Sequence, residues 1–283
     1  MQVKQVLVAA TDRLTTNKVP SPRMNAELLL RFVLNCDRAY LFAHPERELT
    51  EQEESHYESA LAERSRGVPA QYIIGHQEFW GMDLIVTPAV LIPRPETEHV
   101  IETVLELVSH GPSSHSIRIV DVGTGSGAIA LALANELPKA ELHATDISGA
   151  ALEIARANAA RHQLEKRIQF SEADLLGNLI PPFDVVVSNP PYVGESEEDQ
   201  VQLEVRKFEP RTAVFSGATG TEVIGRLIPK ARAALRPGGW IVMEISGTIA
   251  ERVRNLLHGW EKVEVKEDLQ SISRVIRARK PLN

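Results

Sequence analysis

Asn189-Pro-Pro-Tyr192 directly follows the apolar run Asp184-Val-Val-Val-Ser188, which reads as a buried strand. At such a strand end the Asn189 side-chain oxygen and the Pro190 carbonyl are two acceptors kept close together by two rigid rings. That pair suits a planar NH₂ group, whose nitrogen lone pair is delocalised and reacts poorly until its hydrogens are held and the lone pair is aimed. Tyr192 is placed to stack on the same planar group. No nucleophilic side chain is needed, which agrees with the lack of an obvious Ser-His-Asp or Cys-His arrangement. Two consecutive prolines can also do no more than end a strand, so the neighbouring residues decide what this tetrapeptide means.

Asp121-Val-Gly-Thr-Gly-Ser-Gly127 is the second group with chemical content. It lies between a predicted strand and a predicted helix, where glycines let backbone approach a ligand and helix N–H groups face it. Gly123, Gly125 and Ala128 also satisfy G-x-G-x-x-G/A, so the loop by itself does not separate a nicotinamide cofactor from S-adenosylmethionine. Asp146, 19 residues after Gly127, falls at the next strand end and is placed to accept hydrogen bonds from ribose hydroxyls in either case. The plain alternative makes the glycines a packing device and Asp146 a cap before Ser148. Asp174, beyond the third strand, is placed to meet an adenine amino group, although surface loops commonly carry aspartates.

The elements that must hold these residues alternate. The pattern predicts a helix over Glu96–Ser109, strand Ile117–Val122, helix Ala128–Glu136, strand Glu141–Thr145, helix Ala150–Arg161, strand Ile168–Ser171 and strand Asp184–Ser188. It continues with a helix over Glu222–Leu235, strand Trp240–Ile245, a helix near Ile249–Leu257 and two last strands. Alternation of this kind predicts an α/β unit with a parallel sheet covered on both faces and ligands at the carboxyl ends of its strands. Residues 1 to about 70 show only helical periodicity, notably Ala26–Leu34, with Ser21-Pro22 as a helix start and Pro45 and Gly67 as breaks. Glu78–Val86 reads as a hairpin broken at Gly81 and leads into the proline-rich Leu91–Glu98. The domains expected are therefore 1–75, helical; 76–95, hairpin and linker; and 96–283, α/β.

Composition narrows the function classes. A chain of 283 residues, 43% hydrophobic and 24% charged, is globular rather than disordered, and its length allows about two domains. The formal charge of −7 gives no cationic field for holding a phosphate backbone nonspecifically. One cysteine, Cys36, excludes a Cys-built metal site and points to a reducing compartment, and the nine histidines form no ligand-spaced cluster. No segment approaches the roughly 18 apolar residues of a membrane span, and the first residues show no signal-peptide pattern, so a cytoplasmic protein is expected.

Asn-Pro-Pro-Tyr at this position resembles the signature of methyltransferases acting on planar NH₂ groups. The match widens in Ser21–Leu30, Gly67–Gly75, Val90–Glu98, Asp121–Gly127, Asn189–Tyr192 and Phe208-Glu-Pro210. These six segments, in this order, resemble the bacterial release factor glutamine methyltransferases, the PrmC/HemK family, over nearly the whole chain. The resemblance implies a class I S-adenosylmethionine-dependent methyltransferase fold, Rossmann-like with a mostly parallel seven-stranded sheet, behind a small helical domain that docks the release factor. It implies methyl transfer from S-adenosylmethionine to the side-chain N5 of the glutamine in the Gly-Gly-Gln motif of peptide chain release factors, with S-adenosylhomocysteine as product. Carried over, Gly123, Thr124, Gly125, Ser126 and Gly127 line the cofactor, Asp146 takes the ribose and Asp174 the adenine. Asn189 touches both ligands, and Asn189, Pro190, Pro191 and Tyr192 hold the substrate, with Asn189, Pro190 and Tyr192 catalytic. Many relatives place an aromatic residue after the aspartate matching Asp174; here Leu175 makes that contact aliphatic.

Arg94 either covers the cofactor or orders the linker, and Glu209 and Pro210 either border a substrate groove or cap a turn. Glu195–Asp199 reads as a solvated acidic loop, and Phe79 and Trp80 as hairpin core. The competing enzyme is an amino-group DNA or RNA methyltransferase of the N6-adenine or N2-guanine type, using the same pocket after base extrusion. Net charge and the lack of a Lys/Arg-rich stripe weigh against a nucleic-acid substrate. A noncatalytic binding module leaves the intact motifs unused, and a nicotinamide oxidoreductase leaves Asn-Pro-Pro-Tyr without a role. A monomer with no metal is expected.

Overall fold

Helical spacing of apolar residues builds the first of two units. The computed structural model describes residues 1–109 and 116–282, which divide into Met1–His76 with Gln202–Phe208 and Gln77–Val201 with Glu209–Asn283. In the first unit α1 (Val3–Thr16), α2 (Pro22–Leu34), α3 (Arg38–Ala43), α4 (Glu51–Ser65) and α5 (Ala70–Ile74) turn Val3, Leu7, Leu14, Leu29, Leu30 and Leu61 into one core. Thr50 and Glu53 form a capping box that starts α4, with bonds of 3.2 and 2.9 Å. Pro22 opens α2 as the sequence predicts, but Ser21 is left-handed and makes no side-chain cap. The polar residues of the Ser21–Leu30 segment are structural. Asn25 donates to Pro20 O at 2.8 Å and accepts from buried Arg64 at 2.7 Å, while buried Glu27 accepts from Arg23 and Arg38. Arg64 also pairs with Glu204 at 2.7 Å, on the short helix Leu203–Phe208.

From Gln77 the second unit takes up the rest of β1 (His76–Phe79) and then β2 (Met82–Ile85), joined through Trp80 and Gly81, both at positive φ. Two successive left-handed residues match the twist of a two-residue hairpin turn. Phe79, Met82 and Leu84 enter the main core of this unit, so the hairpin expected over Glu78–Val86 is a packed element. Then follow α6 (Glu98–Ser109), β3 (Arg118–Val122), α7 (Ala128–Glu136), β4 (Glu141–Asp146), α8 (Gly149–Arg161), β5 (Ile168–Glu172) and β6 (Phe183–Ser188). After the first-unit helix, which is α9, come α10 (Arg211–Val214), α11 (Glu222–Ala234), β7 (Leu235–Glu244), α12 (Ala250–Leu256), β8 (Glu261–Glu267) and β9 (Ser273–Arg279).

The seven strands of the main sheet run in the order β5-β4-β3-β6-β7-β9-β8. All pairs are parallel except those made by β9. The chain builds outward from β3 in both directions, so the crevice beside the carboxyl ends of β3 and β6 is the topological switch point. Strand β6 is buried along its whole length and pairs β3 with Val122 opposite Ser188. Strand β7 starts at Leu235 rather than Trp240, because Pro237-Gly-Gly239 is carried in a bulge opposite Phe183 and Val185. The acidic run Glu195–Gln200 is a 3₁₀ helix, with Glu198 bonded to Arg211 at 2.6 and 3.1 Å.

Candidate active site

Strand pairing delivers the glycine loop and the Asn-Pro-Pro turn to one edge. Ser188 Oγ donates to Val122 O at 2.6 Å, fastening the end of β6 to the end of β3 one residue before Asn189 and one before Gly123. The N–H groups of Gly123 and Thr124 both donate to Thr145 O, at 2.8 and 2.9 Å, which clamps the loop onto β4. Asp146 continues the clamp, with Oδ2 accepting from Gly125 N and Oδ1 from Ser148 N, both at 2.9 Å. Ser148 itself caps α8 through Ala151 N. Asn158 on α8 is fully buried and donates to Ser126 O at 2.9 Å and Ile85 O at 3.0 Å, while its oxygen takes Ile85 N–H at 2.6 Å. One amide thus holds both the glycine loop and the hairpin.

These residues surround a cavity of about 340 Å³, within the usual range of small-molecule sites. Gly123, Thr124, Gly125, Ser126, Asp146, Asp174, Leu175, Asn189, Pro190 and Pro191 all line it. Gly127 and Tyr192 are not among its lining residues. A Cβ on Gly127 would stand 2.9 Å from Leu131 Cδ1 and 3.3 Å from Ala155 Cβ, so this glycine serves the packing of α7 on α8. The ring of Tyr192 packs against the core that contains Val186, Ile224, Ile241 and Met243, and its hydroxyl donates to Glu244 Oε1 at 3.1 Å. Asp174 pairs with Arg226, which also lines the cavity, and Leu175 beside it has φ of 59°, an uncommon left-handed conformation for a leucine.

The cradle fits an adenosine-bearing cofactor. Gly123 and Gly125 hold φ of 74° and 56°, and a Cβ on either would meet nothing within 4 Å; their bare backbone faces open cavity rather than packed protein. Each Asp146 oxygen retains a lone pair beyond its backbone bond for a ribose hydroxyl. Beneath the loop, Asp121 is fully buried, accepts from Thr124 Oγ1 at 2.6 Å through Oδ2, and leaves Oδ1 without a partner among the described residues. Burial pushes its carboxyl up to about 7, against the lowering effect of the Thr124 and Ala130 bonds and with help from the charge of Asp146.

Two residues that sequence reasoning missed stand behind Asn189. Thr97, in the 3₁₀ turn Pro95–Thr97, takes Asn189 Nδ2 on its Oγ1 at 3.2 Å and donates to Glu244 Oε2 at 2.6 Å. Glu244 ends β7, is 3% exposed, and its carboxyl is pushed up by burial although the Thr97 and Tyr192 bonds favour the anion. The Pro-Arg-Pro-Glu-Thr run hid Thr97 in plain sight, whereas nothing in the apolar strand around Glu244 marks it as more than an end-of-strand carboxylate. Arg94 lines the cavity and is tied to buried Glu209, whose other oxygen accepts from Ile92 N at 3.3 Å. The ion pair orders the Pro93-Arg94-Pro95 segment and sets Arg94 against the cavity.

Residues 5–75 match the PrmC N-terminal domain and residues 102–207 the methyltransferase small domain. The release factor glutamine methyltransferase of Koribacter versatilis (strain Ellin345) is 53% identical over 283 residues, covering 99% of both chains. The chain belongs to the release factor glutamine methyltransferase family. The enzyme of that name from Xylella fastidiosa (strain 9a5c) is 41% identical over 98% of this chain and 97% of its own. Among solved structures, the human Mettl16 catalytic domain in complex with an RNA hairpin superposes with a TM-score of 0.57 at 19% identity, over 79% of this chain and 82% of that one. That likeness concerns the methyltransferase fold. The family and the seven-stranded, mostly parallel methyltransferase architecture expected from the ordered motifs are therefore those of this chain. As a release factor glutamine methyltransferase family member, it is an S-adenosylmethionine-dependent methyltransferase.

Proposed function

We propose that this protein methylates the side-chain amide nitrogen of the glutamine in the Gly-Gly-Gln motif of peptide chain release factors. The observation that carries this reading is the orientation of Asn189: its NH₂ is committed to Thr97, which leaves its carbonyl oxygen to accept an N–H at the edge of the cavity. With the Pro190 carbonyl it forms an acceptor pair for a planar NH₂ group. When bound at the glycine loop, S-adenosylmethionine supplies an electrophilic methyl: the N–C bond forms as the S–C bond breaks, sulfur keeps that electron pair, and the amide proton passes to water.

The chain's own work is positioning. Gly123, Thr124, Gly125 and Ser126 present backbone to the cofactor, Asp146 accepts from its ribose, and Asp174 with Leu175 borders the adenine. Asn189, Pro190 and Pro191 hold the glutamine, and Tyr192 acts from behind the turn. Residues 1–75 dock the release factor, and the acidic net charge favours a protein over a nucleic-acid substrate. The protein works as a monomer in the cytoplasm, a reducing compartment that the single free cysteine fits.

The test is incubation with radiolabelled S-adenosylmethionine and a release factor, the same factor with its loop glutamine replaced, or DNA. Label is expected only in the unaltered factor. Equal label in the glutamine-replaced factor, or label in DNA, rejects the reading.

A further inference from the structure

At the centre of the second unit three side chains meet in series. Glu244 Oε2 accepts from Thr97 Oγ1 at 2.6 Å, and Thr97 Oγ1 accepts from Asn189 Nδ2 at 3.2 Å. On its far oxygen Glu244 accepts from the Tyr192 hydroxyl at 3.1 Å. Thr97 and Glu244 are 4% and 3% exposed, so water does not compete for these bonds. While Glu244 is ionised the chain of donors has one direction only. A carboxylate has no proton to give, so in that state the single hydroxyl proton of Thr97 goes to Glu244, and what Thr97 offers Asn189 is a lone pair. An amide whose near side must donate is an amide whose far side accepts.

We infer that Glu244, acting through Thr97, sets the rotameric polarity of the Asn189 amide, so that its oxygen and not its nitrogen meets the substrate NH₂. The inference rests on the proposed reading of Asn189 as the substrate's acceptor. It makes Glu244 and Thr97 positioning residues for a bond they do not touch, and gives Tyr192 the task of holding Glu244 in register. With the opposite polarity two NH₂ groups would face each other, and the reacting nitrogen would lose the partner that aims its lone pair.

The decisive variant is Glu244→Gln, which keeps shape but reverses direction. Its amide oxygen still takes the Tyr192 hydroxyl, its NH₂ donates to Thr97 Oγ1, and the Thr97 proton is then released toward Asn189, whose amide turns over to accept it. Thr97→Val removes the relay, and Thr97→Ser keeps it. Glu244→Gln and Thr97→Val are expected to lower kcat by at least about 10-fold, the lower part of the range for a misdirected hydrogen-bond partner. Thr97→Ser should stay within about threefold of the parent, and calorimetric affinity for S-adenosylmethionine should fall by less than kcat in Glu244→Gln and Thr97→Val. Combined with Asn189→Ala, Glu244→Gln should cost nothing further, because both act through one group.

A second readout needs no substrate. In protein labelled with ¹⁵N at asparagine, the Asn189 side-chain NH₂ should exchange slowly with solvent in the parent and in Thr97→Ser, and quickly in Glu244→Gln. Glu244→Gln with parental turnover, losses that multiply in the Asn189→Ala background, or equal exchange in parent and Glu244→Gln would each overturn the inference. A parent that leaves the release factor unlabelled while the exchange pattern holds rejects the proposed substrate and keeps the assignment of polarity.

Discussion

Thr97 Oγ1 lies 2.6 Å from Glu244 Oε2 in the buried centre of the second unit, joining the turn before α6 to the last residue of β7. Because Asn189 hangs on the same hydroxyl, the acceptor geometry at the cavity is a property of three distant stretches of chain. Asn189→Ala deletes the acceptor and also leaves Thr97 with an idle lone pair. Methyl transfer should fall by at least about 10²-fold, the scale for losing one preorganised hydrogen-bond partner in a catalytic site. Single-turnover measurement with saturating cofactor checks this, and unchanged turnover rejects the role.

Glu244 also gives the reaction a pH dependence with a definite sign. Burial raises its carboxyl pKa, aided by the charge of Glu96; Arg274 and the bonds from Thr97 and Tyr192 oppose the rise. Protonated Glu244 can donate, and the Thr97 hydroxyl is then no longer committed to it. Turnover should therefore decline as pH falls through the raised pKa of Glu244, above the ordinary carboxylate range, and Glu244→Gln should show a low profile without that limb. A kcat–pH series on parent and variant measures it.

Asp121 couples the glycine loop to stability. Its folded pKa of about 7 lies above the ordinary aspartate value, so the native state holds the proton more tightly than the unfolded chain. The stabilisation from that proton is complete below about pH 4 and is lost as pH rises through about 7, at a cost of up to about 4 kcal/mol. Asp121→Asn, which retains an acceptor for Thr124, should come closest to the parent in melting temperature at about pH 4 and exceed it most at about pH 8. Parallel melting curves at both pH values contradict this.

How far the sequence reached is clearest at these residues. The glycine loop and Asn189-Pro-Pro191 were legible because each motif is contiguous and follows a strand whose apolar run is unmistakable. Alternating patterns likewise located β3, α7, β4, α8, β5 and β6 to within a residue or two. Thr97 and Glu244 were not legible, since they are 147 residues apart and meet only through the register of β7 in the sheet. Gly127 and Tyr192 show the converse: both belong to the motifs, yet one fills a helix contact and the other faces Glu244. A motif records which residue types recur together and does not say on which side of the backbone each one works.

Asp146 separates binding from chemistry. Its oxygens already organise Gly125 and Ser148 at 2.9 Å, so Asp146→Ala removes both the ribose acceptor and the tether of the loop. Cofactor affinity should weaken by about 10- to 100-fold, from loss of one or two charge-assisted bonds, while kcat at saturating cofactor falls much less. Calorimetry and saturation kinetics separate the two, and an intact affinity contradicts the assignment.

Two glycines of one loop should fail in different ways. At Gly127 a Cβ collides with Leu131 and Ala155, and φ of 86° already disfavours an L side chain. Gly127→Ala should lower unfolding free energy by about 1 to 3 kcal/mol, from left-handed strain together with overpacking between α7 and α8. Since the added methyl points away from the cavity, cofactor affinity per folded molecule should be nearly preserved. At Gly123 the same methyl meets no protein atom within 4 Å, so only the strain at φ of 74°, about 1 kcal/mol, opposes folding. It enters the cavity instead, and Gly123→Ala should bind S-adenosylmethionine much more weakly while melting close to the parent. If Gly123→Ala proves the less stable protein and Gly127→Ala the weaker binder, the division of the loop into a packing glycine and a ligand-facing glycine is wrong.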